Sequence, residues 1–333
     1  MKRFCIKFCL LFLLIDGFVG LYVFGIQPDL SGDMGQIGQI PFGQEYNERV
    51  NSTYSHERKM VQDIFPQDTI TSKFITIGDS FSKLGERGYS QFLAELLHRD
   101  VQNIDHEFTP EQTLVELLYH DKIPSQTTVI VEVVERSLVW RMNSINFQDT
   151  TVAYYHDESE TQENEPKHQQ HMEDALLFLK KSVGIKQPIS CHPTSENLFS
   201  HSKRHNKLYI YDSPWDKDGD LRFMELAEED IRNAYKNMEA LHSLAESHGI
   251  KLIVLIAADK YDVYEPFITT EHIENHVLDY CPDASWIINT KPMLQSHAHA
   301  GIKDIYYIND THWSPIGAKI VAEEIFRRLQ LPN

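Results

Sequence analysis

The sequence predicts an α/β domain built on a doubly wound, mostly parallel sheet, and three observations lead there. Short apolar or β-branched runs that suit buried strands alternate with longer amphipathic stretches that suit helices. The strand-like runs stop abruptly at small, charged or hydroxyl residues, as in FITIGDSF and VIVEVVERS. The order strand, helix, strand recurs along the chain, which favours parallel pairing through right-handed crossovers.

Composition sets the outer limits. With 41% apolar and 24% charged residues, the 333-residue chain has the make-up of a folded globular protein. Its 49 acidic and 31 basic residues give a formal charge of −18, a sign that repels phosphate backbones, so nucleic acid is not an expected partner.

The elements follow in chain order. Lys2, Arg3 and Lys7 precede an apolar run from Phe8 to Ile26, broken only by Asp16. That run is about one bilayer thickness of helix, and its cationic flank favours a cytoplasmic N-terminus. No small-x-small site follows it, so residues 1–27 read as an uncleaved, single-pass signal anchor in the cytoplasmic (inner) membrane, with the remainder periplasmic or otherwise extracytoplasmic. Cys5 and Cys9 lie in or beside this anchor. Residues 28–59, rich in Gly and polar turn formers, read as a stalk.

The folded domain is expected over 60–333. FITIGDSF gives a strand and a turn, and GYSQFLAELLHRD gives a helix with Tyr89, Phe92, Leu93, Leu96 and Leu97 on one side. Thr109 and Pro110 stand as N-cap and first residue of the next helix, which leads to a central strand over Val129–Val134. Residues 143–172 turn polar and acidic without periodicity and read as an exposed insertion. A long helix follows across MELAEEDIRNAYKNMEALHSLAESHG, with Gly249 as its stop, and it feeds the strand IKLIVLIAA. The closing elements are ASWIINTKPML, an apolar strand in IYYINDTHW, and the helix SPIGAKIVAEEIFRRLQ. Cys191 and Cys281 are the only cysteines in the outer part, where an extracytoplasmic compartment would permit a disulfide between them.

In a doubly wound sheet, ligands bind beyond the carboxyl ends of the strands. Gly78, Asp79 and Ser80 occupy one such end, with Ser80 expected at the mouth of a helix whose free N–H groups would favour an oxyanion. Taken alone, GDS is better explained by a helix cap, with Asp79 or Ser80 as the N-cap. A serine nucleophile needs a base and a group to orient it. Of 17 histidines, His312 alone lies between an apolar run and a helix start, with Asp310 two residues ahead. The plainer reading there makes Asp310 a turn former, Trp313 a core residue and Ser314 an N-cap before Pro315.

GDSFS and NDTHWSPIGA together resemble the SGNH (GDSL-like) hydrolase superfamily, and most of all its alginate O-acetyltransferase-like branch. The resemblance implies a flavodoxin-like three-layer α/β/α sandwich and transfer or hydrolysis of acetyl esters on carbohydrate. It matches Ser80 to the nucleophile, His312 to the base and Asp310 to the orienting acid; Gly78, which permits a sharp turn, and Asp79 stand beside the nucleophile as candidates for support of the oxyanion site. The segments VVERSLVWR and AADKYDVY also look like family segments, which draws attention to Glu132, Glu135, Arg136, Lys260, Tyr264 and, beside His312, Trp313 as substrate-binding candidates; for Arg136 a buried structural ion pair is equally open. The superfamily usually places its acid three residues before the histidine, where this chain has Asn309, and the branch usually carries Asp-x-His ahead of the serine block. Gly and Gly-x-Asn-Asp blocks for the oxyanion hole are not recognisable.

The expectation is therefore a membrane-anchored O-acetyltransferase acting on a cell-surface or exopolysaccharide, supplied with acyl groups by a membrane acyltransferase partner. A carbohydrate acetyl esterase and a non-catalytic polysaccharide-binding or assembly protein are the alternatives. No cofactor or metal is expected; a metal hydrolase using Asp79, Asp310 and His312 would lack further ligands at suitable spacing.

Overall fold

The computed structural model describes residues 58–64, 70–82, 88–105, 109–148, 189–200, 206–211, 219–308 and 310–330. The expected anchor with Cys5 and Cys9, nearly all of the stalk, and the greater part of the polar insertion lie outside them. Among the described residues no helix is long and apolar enough to cross a membrane.

Among the described residues eight strands occur in chain order: β1 (Arg58–Met60), β2 (Phe74–Gly78), β3 (Gln102–Asp105), β4 (Thr128–Val134), β5 (Ile189–Pro193), β6 (Lys207–Tyr211), β7 (Lys251–Ala257) and β8 (Ile287–Asn289). Strands β5 and β6 form a separate antiparallel pair. The other six form one sheet of order β1-β3-β2-β4-β7-β8, parallel throughout. Every residue of β4 is buried, as expected of a central strand with neighbours on both edges.

The helices are α1 (Val61–Ile64), α2 (Tyr89–Leu97), α3 (Pro110–Tyr119), α4 (Glu135–Ser144), α5 (Glu228–Ser247), α6 (Lys260–Tyr264), α7 (Thr290–His299) and α8 (Pro315–Leu329). The chain moves one way across the sheet from β2 to β3 and the other way from β3 to β4. Right-handed crossovers therefore put α2 and α3 on opposite faces. Helix α8 packs on α2, and α5 packs on both α3 and α4, giving a helical layer on each side of the sheet. In α5 the buried stripe is Ile231, Ala234, Tyr235, Met238, Leu241 and Ala245, and Glu228, Glu229 and Asp230 in its first turn complement the helix dipole. Gly249 takes φ +71° just past its end, the left-handed conformation glycine adopts without a Cβ penalty.

Three expectations change. Ser80 opens a single 3-10 turn, Ser80–Ser82, and not the helix α2, which begins at Tyr89 as GYSQFLAELLHRD predicts. The long helix starts at Glu228 instead of near Met224, because Arg222–Glu225 form their own 3-10 turn. The apolar stretch before His312 joins no sheet; Tyr306 makes one antiparallel bridge to Trp313, turning the segment back on itself.

This returning segment sits tightly on α8. A Cβ at Gly317 would lie 2.3 Å from the backbone oxygen of Ile305 and 3.2 Å from Trp313 Cβ, so the helix approaches only because the side chain is missing. Gly317→Ala should therefore destabilise the protein by about 1–3 kcal/mol, as overpacking does, although alanine favours helix in the abstract. A urea titration checks this, and an unchanged or higher midpoint would contradict the close approach.

Candidate active site

The strand order reverses between β2 and β4, and the carboxyl ends of these two strands hold the candidate site. Ile75 and Ile77 bury β2 in the core, and the strand ends at Gly78. The space a side chain would fill there is taken by Glu132: a Cβ at Gly78 would lie 2.6 Å from Glu132 Oε2. That oxygen accepts the Asp79 N–H at 3.1 Å and the Ser82 hydroxyl at 3.0 Å. Asp79 in turn accepts the Phe81 N–H on Oδ1 at 3.1 Å and faces Arg141 at 3.1 Å through Oδ2, while its carbonyl accepts the Ser82 N–H at 3.0 Å. Asn103 donates to the Ser82 carbonyl at 2.7 Å. The turn is thus tied at nearly every polar atom except the exposed Ser80 side chain. Its Phe81 and Ser82 N–H groups are both taken by Asp79, which leaves the Ser80 N–H as the turn's donor toward a ligand.

The opposite wall comes from the segment before α8. Asp310 Oδ1 lies 2.6 Å from His312 Nδ1 and 3.0 Å from the His312 N–H. His312 Nε2 lies 2.6 Å from Ser80 Oγ. A carboxylate oxygen can only accept, so Nδ1 carries the imidazole proton, and in the neutral ring Nε2 accepts from the Ser80 hydroxyl. Ser80, His312 and Asp310 form one continuous hydrogen-bond chain. Phe81 backs it, with its ring centroid 4.8 Å from that of His312 and 4.8 Å from that of Trp313.

The remaining sequence candidates support this arrangement from beneath. Glu132, Lys260, Tyr264 and Trp313 are all fully buried, so none has a face for substrate. For Trp313 this corrects the sugar-stacking idea: its indole N–H donates to Tyr306 at 3.0 Å, inside the core. Tyr264 accepts the Tyr306 N–H at 3.3 Å. Arg136, also buried, pairs with Asp259 and lies 3.8 Å from Asp220, which favours the structural ion pair over substrate binding. Glu135 accepts the Asp259 N–H at 3.0 Å and the Asn275 amide at 2.7 Å. Cys191 and Cys281 are free thiols, one exposed and one half-buried, so the envisaged disulfide is not formed.

Sequence reasoning missed Phe81, Arg141, Glu111, Asp220 and Asp259. For Phe81 and Asp259 the available signal was placement just past the ends of β2 and β7, whereas Arg141 lies inside α4 and Glu111 in the first turn of α3, where nothing local marks them. Two surface depressions, one lined by Thr71–Phe74 and Arg99–Gln102 and the other including Lys251, Leu252 and Trp286, lie at the amino ends of strands, away from Ser80.

Comparison with protein-family models, with curated proteins and with solved structures found no match.

Burial divides the acids by charge. It pushes Glu132 well above the usual carboxylate range, assisted by the neighbouring Asp79 charge, so Glu132 sits as a neutral acid. Burial also opposes ionisation of Asp79, but Arg141 and hydrogen bonds from Glu132 and the Phe81 N–H outweigh it and hold that carboxyl below its ordinary value. Burial raises Glu111 to about 7 despite Arg141 nearby. Because the folded state keeps the Glu111 proton longer than the unfolded chain, its contribution to stability is full below pH 4.5 and is lost as pH rises through about 7. That loss is on the order of 3 kcal/mol. Glu111→Gln should flatten the fall in melting temperature between about pH 4.5 and about pH 7, the interval in which the unfolded chain has lost this proton and the folded state still holds it. An unchanged slope would show that Glu111 ionises normally.

Proposed function

We propose that the chain is a serine-dependent O-acyltransferase of SGNH type, moving an acetyl group onto a carbohydrate hydroxyl. The observation that carries this reading is the Ser80–His312–Asp310 hydrogen-bond chain at the carboxyl edge of the sheet, with both contacts of the imidazole at 2.6 Å. Support for the SGNH assignment comes from the GDSFS motif at the end of β2 and the NDTHWS motif just before α8. The strand order, once the edge strand β1 is set aside, is also that of flavodoxin-like sheets.

The chemistry follows from the geometry. His312 Nε2 takes the hydroxyl proton as Ser80 Oγ attacks the donor's carbonyl carbon, and Asp310 holds the imidazolium. The resulting oxyanion faces the Ser80 N–H. His312 then returns the proton to the departing alkoxide, leaving acyl-Ser80. In the second half His312 removes the proton of an acceptor hydroxyl as it attacks the acyl carbonyl, and then returns that proton to Ser80 Oγ as the acyl–serine bond breaks.

The acceptor in this reading is a polysaccharide outside the cytoplasmic membrane. A membrane acyltransferase would be the donor partner, and the apolar segment Phe8–Ile26 would keep the two together. One observation favours the esterase alternative. Ser80 is exposed, so water could take the place of the sugar in the second half.

With an acetyl-ester chromogen and the full chain, Ser80→Ala and His312→Ala should each lower kcat by roughly 10³-fold or more, and Asp310→Asn by roughly 10²–10⁴-fold. Steady-state kinetics at fixed pH provide the measurement. Full activity in Ser80→Ala would remove the serine mechanism. Absence of activity in the wild type, with glycan binding retained, would leave the binding-protein reading.

A further inference from the structure

Lys260 is the first residue of α6 and follows directly from the carboxyl edge of β7, where a strand exit normally carries a solvated residue. Here it is fully buried. Its Nζ donates to three backbone carbonyls, those of Tyr307 at 2.8 Å, Ile308 at 2.9 Å and Asp310 at 3.3 Å. An ammonium has three N–H donors and no acceptor, so the three carbonyls match its donor set one for one. The Phe199 ring covers the group, with its centroid 5.3 Å from Nζ.

The three carbonyls belong to the segment that delivers Asp310 and His312. That segment borrows no order from the sheet. It is closed on itself by the Tyr306–Trp313 bridge and the Tyr307 N–H to His312 carbonyl bond at 3.2 Å. Its tip therefore depends on side chains for its placement, and Lys260 reaches the tip at both ends of the 307–310 stretch. Burial pushes the amine down to about 7, against Asp220 and Asp310, which favour the charged form; holding a group of this kind in the core is costly unless its hydrogen bonds are made.

We propose that Lys260 is a positioning residue, whose three hydrogen bonds set the Asp310–His312 turn in register with Ser80. It touches no substrate and transfers no proton. Without it, buried carbonyls turn in search of donors and His312 Nε2 leaves the line to Ser80 Oγ. The kinetic part of this proposal rests on the serine-transfer reading above; the placement of His312 does not.

The test compares Lys260→Met with wild type in the full chain. Lys260→Met should reduce kcat on p-nitrophenyl acetate by about 100-fold with KM nearly unchanged, the scale of a misplacement of about 1 Å. In the same samples, the downfield proton resonance of His312 Nδ1–H, assigned by its absence in His312→Ala, should shift or vanish in Lys260→Met and persist in Ser80→Ala. Wild-type kcat in Lys260→Met overturns the proposal, as does a fallen kcat with the resonance unmoved. If Lys260→Met does not fold, Lys260→Gln, with a shorter buried amide donor, decides: a partial loss of kcat with a shifted resonance supports the positioning role, and wild-type values of both overturn it. Should Ser80→Ala be fully active, the serine mechanism fails, while the resonance still judges Lys260.

Discussion

A hydrogen bond of 2.6 Å joins His312 Nε2 to Ser80 Oγ across 232 positions of sequence. Both residues lie on irregular backbone, Ser80 on a single 3-10 turn and His312 on a self-closed segment. Neither stretch would hold its geometry alone, since the entropy of fixing a few loop residues exceeds what one hydrogen bond returns. Each is held from the carboxyl edge of the sheet by a buried ionisable side chain: Glu132, within β4, fastens the serine turn, and Lys260, at the start of α6 just past β7, fastens the histidine segment. Strands β4 and β7 are direct neighbours, so the two anchors share one rigid base.

The electrostatics of that base follow from burial. Glu132 is kept neutral and can lie against Asp79, whose own charge is matched by Arg141. Asp259, raised to about 8 by burial, is paired with Arg136, and Asp220, raised to about 6, faces the same guanidinium. Unpaired buried charge is costly, and this network avoids it by pairing some groups and neutralising others. Breaking one partner would expose the rest to that cost, so single substitutions here should be read with a check on folding.

Much of the fold was legible because its elements are long and strongly periodic. The apolar stripe of α5, the uninterrupted run of β7 and the valine-rich run of β4, broken only by Glu132, mark their elements plainly. The short edge strand β1, the polar run of β3 and the β5–β6 pair were not legible, since QNID and ISCHP carry no strand period. The segment before His312 misled for the opposite reason: Ile305, Tyr306 and Ile308 are apolar because they are buried against the core, though they join no sheet. In the site, Ser80 was readable from where the β2 run stops, and His312 with Asp310 from where an apolar run meets the start of α8. The supporting charges were not, because partners such as Arg136 and Asp259 are 123 positions apart and nothing local signals the pairing.

The central claim is that Ser80 carries the acyl group between donor and acceptor. Acid-quenching the full chain during turnover of an acetyl ester, followed by peptide mapping in a mass spectrometer, tests it most directly. The account predicts an acetyl group on Ser80 in the wild type and none there in His312→Ala. Product formation with Ser80 unmodified at every time point, or acetyl carried on a different residue, would contradict it.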